Sequence, residues 1–187
     1  GYAEIIKHAI INDIIFYKWL KNNFKDLYKL KNKILINAIE KSIKIKLKFI
    51  IKDEKENFKN SSSRAMLNFG HTFGHALESI NDYKSNLTHG EAISIGMILA
   101  AQISHKKNKI SKNQLKDLIM HFKSANLPIK SNMILTNKFY RKLINDKKNL
   151  NGKINLILLE KIGKAYFARN FMINKIKDLI YNINKTL

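Results

Sequence analysis

The strongest constraint on this chain is the stretch Arg64-Ala-Met-Leu-Asn68-Phe-Gly70-His71-Thr-Phe-Gly74-His75-Ala76-Leu-Glu78, followed by His89-Gly90-Glu91. The spacing predicts one helix over 64–80. On a helix advancing about 100° per residue, Arg64, Asn68, His71 and His75 fall within an arc of roughly 60°. Gly70 and Gly74 fall on another side, where missing side chains let a neighbouring backbone approach. Such a helix packs closely along one side and presents two imidazoles, a guanidinium and a carboxamide along another. An apolar core has no use for that set, whereas a site for a metal and an anion does.

The chain contains no cysteine. A disulfide framework and thiolate metal sites are therefore excluded, and any metal must be held by His, Asp or Glu. His71 and His75 stand one helical turn apart, a common way to hold a metal, although hydrogen-bonded core histidines share that spacing. The shared face with Arg64 and Asn68, and His89 after a short loop, favour a site. Spacing leaves open which two or three histidines would be ligands. His8, His105 and His121 have no supporting neighbours and read as structural or exposed. Lys46 lies about 20° from Ile39 on a predicted helix, on its apolar side. Its stem could run past the core edge, or its ammonium could serve the site. Glu4 and Lys7, three residues apart, read on spacing alone as an ordinary surface pair. Asp146-Lys147-Lys148 is a short charge cluster without meaning of its own.

The 187 residues give room for one domain with a real core, taken here as 1–187. The net charge of +21 invites a nucleic-acid reading. Two features weaken it. The lysines are spread along the chain, and only Arg64, Arg141 and Arg169 are arginines, the type that base reading favours. A general attraction for acidic small molecules fits better. No run of roughly eighteen apolar residues suggests a membrane span, and no signal peptide is visible, which makes the cytoplasm the default. The start at Gly1, inside a helical pattern, suggests a piece of a longer chain.

Periodicity predicts a mainly α architecture. An amphipathic pattern covers 3–20, polar turns 21–32, and a long helix 33–56 with Ile36, Ile39, Ile43, Leu47 and Ile50 at helical steps. Residues 56–63 read as a polar loop whose last serines could cap the next helix. Asn81 to Thr88 is another loop. Further helices are expected at 89–106, 112–124, 136–145 and 172–184. Residues 154–158 and 165–168 can pair as one small β-hairpin. No Gly-rich strand-to-helix loop is present, so a dinucleotide fold is not encoded here.

Arg-x-x-Leu-Asn-x-Gly-His-Thr-x-Gly-His-Ala, with the following His-Gly-Glu-Ala, closely resembles the signature of 3-dehydroquinate synthases. The resemblance runs through most of the chain. It takes in Glu4-Ile-Ile-Lys7, Lys46, Asp53-Glu54-x-Glu56, Asn126-Leu127-Pro128, Asp146-Lys147-Lys148 and Ile162-Gly163. It implies the helical C-terminal domain of a two-domain enzyme that binds NAD in an N-terminal α/β domain and forms a homodimer. It implies one divalent metal, zinc or cobalt, on Glu4, His71 and His89, with His75 facing the substrate instead. Lys7, Lys46, Arg64, Asn68, Glu56 and one or both of Lys147 and Lys148 would meet a seven-carbon keto-acid phosphate, with Lys7, Lys46 and His75 nearest the chemistry. In that family NAD takes a hydride from a ring hydroxyl, phosphate leaves, the hydride returns, and the opened ring closes again to dehydroquinate. This chain departs from the pattern in two ways. It has four extra residues between Glu56 and Arg64, an insertion able to displace Glu56. It also lacks the NAD-binding half, so alone it is not expected to turn over substrate. Another sugar-phosphate cyclase of the same superfamily is the nearest rival reading. A metal-dependent polyol dehydrogenase and a basic helical nucleic-acid module are more distant ones.

Overall fold

A computed structural model describes residues 1–58, 60–80, 87–144 and 153–185. The chain begins with α1 (Tyr2–Asn12) and α2 (Ile14–Asn22), where one helix was expected. Asp13 makes the break. Its carboxylate accepts the Ile15 and Phe16 N–H groups at 2.9 Å each, so it caps a new helix instead of continuing the old one. The polar stretch that follows holds the short α3 (Phe24–Tyr28) before the long α4 (Asn32–Lys52).

The expected helix over 64–80 is also two pieces. A 3-10 turn over Arg64–Asn68 starts on Ser63, whose hydroxyl accepts the Ala65 N–H at 3.0 Å. Helix α5 then covers His71–Ile80. Between them Gly70 adopts φ +81°, a conformation that side chains resist. Arg64 and Asn68 therefore do not continue the helical face of His71 and His75.

Helix α6 (His89–Lys106) is the central post, with every residue from Ala92 to Ser104 buried. Its first turn is fixed by Glu91, whose carboxylate accepts both the backbone N–H and the hydroxyl of Thr88 at 2.8 Å. Helices α5 and α6 approach at backbone distance. A Cβ on Gly96 of α6 would lie 2.1 Å from the Gly70 carbonyl oxygen and 2.9 Å from the Gly74 nitrogen. Around this pair pack α1, α7 (Lys112–Ser124), α8 (Asn137–Ile144) and α9 (Ile173–Lys185). An antiparallel hairpin of β1 (Lys153–Lys161) and β2 (Lys164–Met172) is longer than expected. Its turn docks on α1 through Gly163 N–H to the Ile10 carbonyl at 2.7 Å. The Leu159 N–H reaches the Ser104 hydroxyl of α6 at 3.0 Å.

Helix α4 turns a different face inward from the one its aliphatic pattern suggests. Ala38, Ser42, Ile45 and Phe49 are buried. Ile36, Ile39, Ile43 and Leu47 are 55%, 42%, 50% and 47% exposed. Periodicity located the helix, but burial follows the neighbours: α1 offers His8, which selects Ser42 across from it.

Among the described residues no helix is long and apolar enough to cross a membrane.

Candidate metal centre

Three elements deliver the polar cluster. α1 supplies Glu4 and Lys7, α5 supplies His71 and His75, and the start of α6 supplies His89. One ligand atom from each of Glu4, His71 and His89 lies within 4.8 Å of the others, close enough to share one ion. The imidazole of His75 packs edge-on to His71, ring centres 5.2 Å apart, and stands 6.4 Å from His89. It is exposed, beside the trio and not a member of it.

The proton positions follow from the partners. His71 Nδ1 lies 3.2 Å from the Phe69 carbonyl, which can only accept, so Nδ1 carries the proton and the Nε2 lone pair turns towards Glu4 Oε1 at 3.7 Å. His89 Nδ1 lies 2.8 Å from the Glu78 carboxylate, which by the same argument leaves its Nε2 free. Both imidazoles thus present a bare nitrogen. Glu4 Oε2 accepts Lys7 Nζ at 2.7 Å, while Glu4 Oε1 is shielded from water and has no hydrogen-bond partner. A shielded carboxylate oxygen without a donor is costly unless a cation meets it.

The local field keeps this set ready. Burial works to raise the Glu4 carboxyl, but the charges of Lys7, His71 and His8 and the Lys7 hydrogen bond outweigh it and hold it below the usual carboxylate range. Burial, then the Lys7 charge, pushes His71 down to about 4. At neutral pH the carboxylate is ionised and the imidazole neutral, the forms that bind a divalent ion. Lys7 is itself buried; burial lowers its pKa and Glu4 opposes the shift.

Among the described residues, the other expected ones are not members of the trio. Lys46 is exposed on α4, yet its charge still reaches Lys7 and His8. Arg64 Nη1 donates to the Glu54 carbonyl at 2.8 Å. Asn68 Nδ2 donates to Glu56 Oε1 at 3.2 Å, so the longer loop still brings Glu56 against Asn68. Lys147 and Lys148 lie outside the described residues. Two contributors carried no assigned role in the sequence. Glu78, seven residues after His71 and so on nearly the same helical face, orients His89. Asp53 gathers the loop before Arg64, accepting Ser63 Oγ at 2.9 Å and the N–H groups of Asn57, Phe58 and Arg64. Burial favours its neutral form, but these hydrogen bonds prevail and hold it below the usual range. An acid before a Ser-rich loop was the available signal.

Two further histidines are structural. His8 Nδ1 meets Ser42 Oγ at 2.7 Å, and His121 Nε2 meets the Tyr2 hydroxyl at 3.0 Å between the rings of Tyr2 and Tyr17. Burial pushes both down to about 4, helped by the Lys7 charge at His8 and the Lys21 charge at His121. Folded, they stay neutral; unfolded, they take up protons below about 6.5. The unfolded state therefore gains protons as pH falls, and stability declines from about pH 6.5 towards 4. Each should cost about 2 kcal/mol between pH 7 and 5. Urea unfolding across that range should show the decline, with a shallower slope for His121→Gln. Equal slopes for the variant and the parent would contradict this assignment.

The chain is 38% identical over 180 residues to the 3-dehydroquinate synthase of Acinetobacter baylyi, covering 96% of this chain and 48% of that protein. It is 41% identical over 166 residues to the 3-dehydroquinate synthase of Aliivibrio fischeri, covering 88% and 44%. The chain thus spans about half the length of the curated relatives it matches. In fold it is similar to a 2-epi-5-epi-valiolone synthase from Streptomyces hygroscopicus, solved with NAD+ and Zn2+ bound. That match has a TM-score of 0.85 at 20% identity and covers all of this chain and 51% of that one. It is also similar to a 2-deoxy-scyllo-inosose synthase solved with carbaglucose-6-phosphate, NAD+ and Co2+. The TM-score there is 0.69 at 22% identity, over 97% of this chain and 50% of that one. A family model described as 3-dehydroquinate synthase C-terminal matches residues 1–149, and the chain belongs to that family.

Proposed function

We propose that this chain is the metal- and substrate-binding part of a cytoplasmic, homodimeric 3-dehydroquinate synthase. The complete enzyme would convert 3-deoxy-D-arabino-heptulosonate 7-phosphate to 3-dehydroquinate and phosphate, with NAD held mainly by the other half. The observation that carries the reading is the trio of Glu4, His71 and His89 around a shielded, unpartnered Glu4 Oε1. Its one carboxylate and two bare imidazole nitrogens suit zinc or cobalt, and three protein ligands leave room for substrate oxygens. When bound, the ion supplies Lewis-acid polarisation of those oxygens and NAD supplies hydride exchange at a ring carbon.

The remaining residues bind and orient a doubly anionic sugar acid. Lys7 sets an ammonium beside the ligand carboxylate, where it can donate to a substrate hydroxyl. Arg64 offers a planar fork to carboxylate or phosphate. Asn68, held by Glu56, offers an amide to hydroxyls. Lys46, with Lys147 and Lys148, adds positive charge. His75, exposed and next to the trio, is the group able to hold or pass a proton at the substrate phosphate.

The test is metal analysis of the chain joined to its preceding half, followed by assay with the heptulosonate phosphate. One ion per chain and release of dehydroquinate are expected. A different cyclic product would assign the protein to another sugar-phosphate cyclase. A metal-free, inactive joined protein would end the reading. In the same protein Arg64→Ala should raise KM about 10- to 100-fold through loss of a charge-assisted contact, with a smaller effect on kcat. An unchanged KM would remove Arg64 from the anion site.

A further inference from the structure

Helices α6, α7 and α9 leave between them a cavity of about 630 Å³. On α6 it is lined by Gln102 and His105 of the last turns. From His89 to His105 the helix rises about 24 Å, so the cavity lies at the opposite end of α6 from the metal trio. Among the described residues, none that was assigned above to metal or substrate lines it. Cavities that hold small molecules commonly measure about 300–1,000 Å³, and this one falls within that range.

The lining has two parts. Leu115, Ile119 and Met120 of α7, with Ile183 of α9, make an apolar floor, and Met120 is 59% exposed. Lys106, Lys112, Lys116 and Lys123 stand around that floor, and no carboxylate among the described residues lines the cavity. The three lysines of α7 fall within an arc of about 40° and span about 16 Å along the helix. Like charges one turn apart, as at Lys112 and Lys116, repel one another. A bound anion would relieve that repulsion. Lysine stems also cover apolar surface where no ligand binds, but such covering does not account for Gln102. That residue is only 5% exposed and lines the cavity, and no hydrogen bond holds its carboxamide among the described residues. An amide so far removed from bulk water needs a partner. A carboxylate would accept its N–H while the ammonium groups balance the charge. The neighbouring His105 is already engaged, with Nδ1 at 2.9 Å from the Ile110 carbonyl.

We infer that the α6–α7–α9 cavity binds one small apolar carboxylate, its hydrocarbon body on the floor of Leu115, Ile119 and Met120 and its carboxylate between Gln102 and the lysine stripe. The site goes beyond the synthase reading and does not depend on it.

Calorimetric titration of the joined protein with decanoate tests the site. One decanoate per chain should bind. Decanol, which keeps the chain and lacks the charge, should bind at least about 10-fold more weakly. Acetate, which keeps the charge and lacks the chain, should bind at least about 100-fold more weakly. Lys116→Glu should weaken decanoate binding at least about 10-fold, and Gln102→Leu, which keeps the side-chain bulk, about 5-fold. Lys44→Glu makes the same change of charge on the exposed side of α4 and should have little effect. The absence of decanoate binding would overturn the inference, as would equal binding of decanol. Equal losses in Lys44→Glu and Lys116→Glu would reduce the effect to net charge and overturn it too. Decanoate binding should persist in His71→Ala. Its loss there would place the carboxylate on the metal centre and refute the separate site. Metal content and turnover of the parent joined protein are scored apart, so failure of the synthase reading and failure of this site are distinguishable.

Discussion

His71→Ala in the joined protein should remove the bound metal and lower turnover more than about 1,000-fold. Loss of His71 leaves one carboxylate and one imidazole from separate helices. Two ligands cannot enforce a tetrahedral catalytic site. The protein should still fold, because His71 is only partly buried and the α5–α6 contact lies on the glycine side. Glu78→Gln makes the graded companion. An amide can still face His89 Nδ1 but no longer offers a full negative charge, so metal affinity should fall about 10- to 100-fold without disappearing. Metal analysis after dialysis, with circular dichroism as the folding control, separates the cases. A His71→Ala protein that keeps one ion per chain would show that the ligands lie elsewhere.

Gly96→Ala should destabilise the protein by about 3 kcal/mol or more, even though alanine is the better helix former. The added methyl would meet the Gly70 carbonyl oxygen at 2.1 Å and the Gly74 nitrogen at 2.9 Å, and backbone cannot rotate aside as a side chain does. Helices α5 and α6 would have to separate, carrying His71 and His89 apart, so metal affinity should fall with stability. Gly90→Ala is the control. Its Cβ would meet only the Ala3 Cβ, at an ordinary 3.8 Å, so this variant should be neutral or more stable by up to about 1 kcal/mol. Denaturant unfolding of both variants decides the matter. Equal stabilities would mean that the helices can slide, and that the close approach is not what sets the histidines.

Much of this arrangement was legible in advance. Aliphatic periodicity located α4, α6 and α7 closely, and the hairpin was visible as two apolar runs around Ile162-Gly163. Gly70 and Gly74 announced a close approach, although the answering Gly96 on α6 carried no signal of its own. The metal trio was a different matter. Local spacing set His71 beside His75 and left the ligand set open, since it compares only residues on one helix. Glu4 lies 67 positions before His71, and no periodicity connects them. The family resemblance named that set, and the fold then brought the three groups within reach of one ion.

The sequence by itself determined where helices run, which residue types could hold a metal, and that some backbone pair must touch at glycine. These depend on the chain's local stereochemistry and on side-chain chemistry, both written residue by residue. Only the tertiary structure decided that Asp13 and Gly70 break the expected helices, and that α4 buries Ser42 and leaves Ile43 outside. It brought Glu4 within reach of two histidines from other helices. Such outcomes depend on which distant segment occupies each face, and burial and proximity are properties of the packed assembly of segments that no single segment carries.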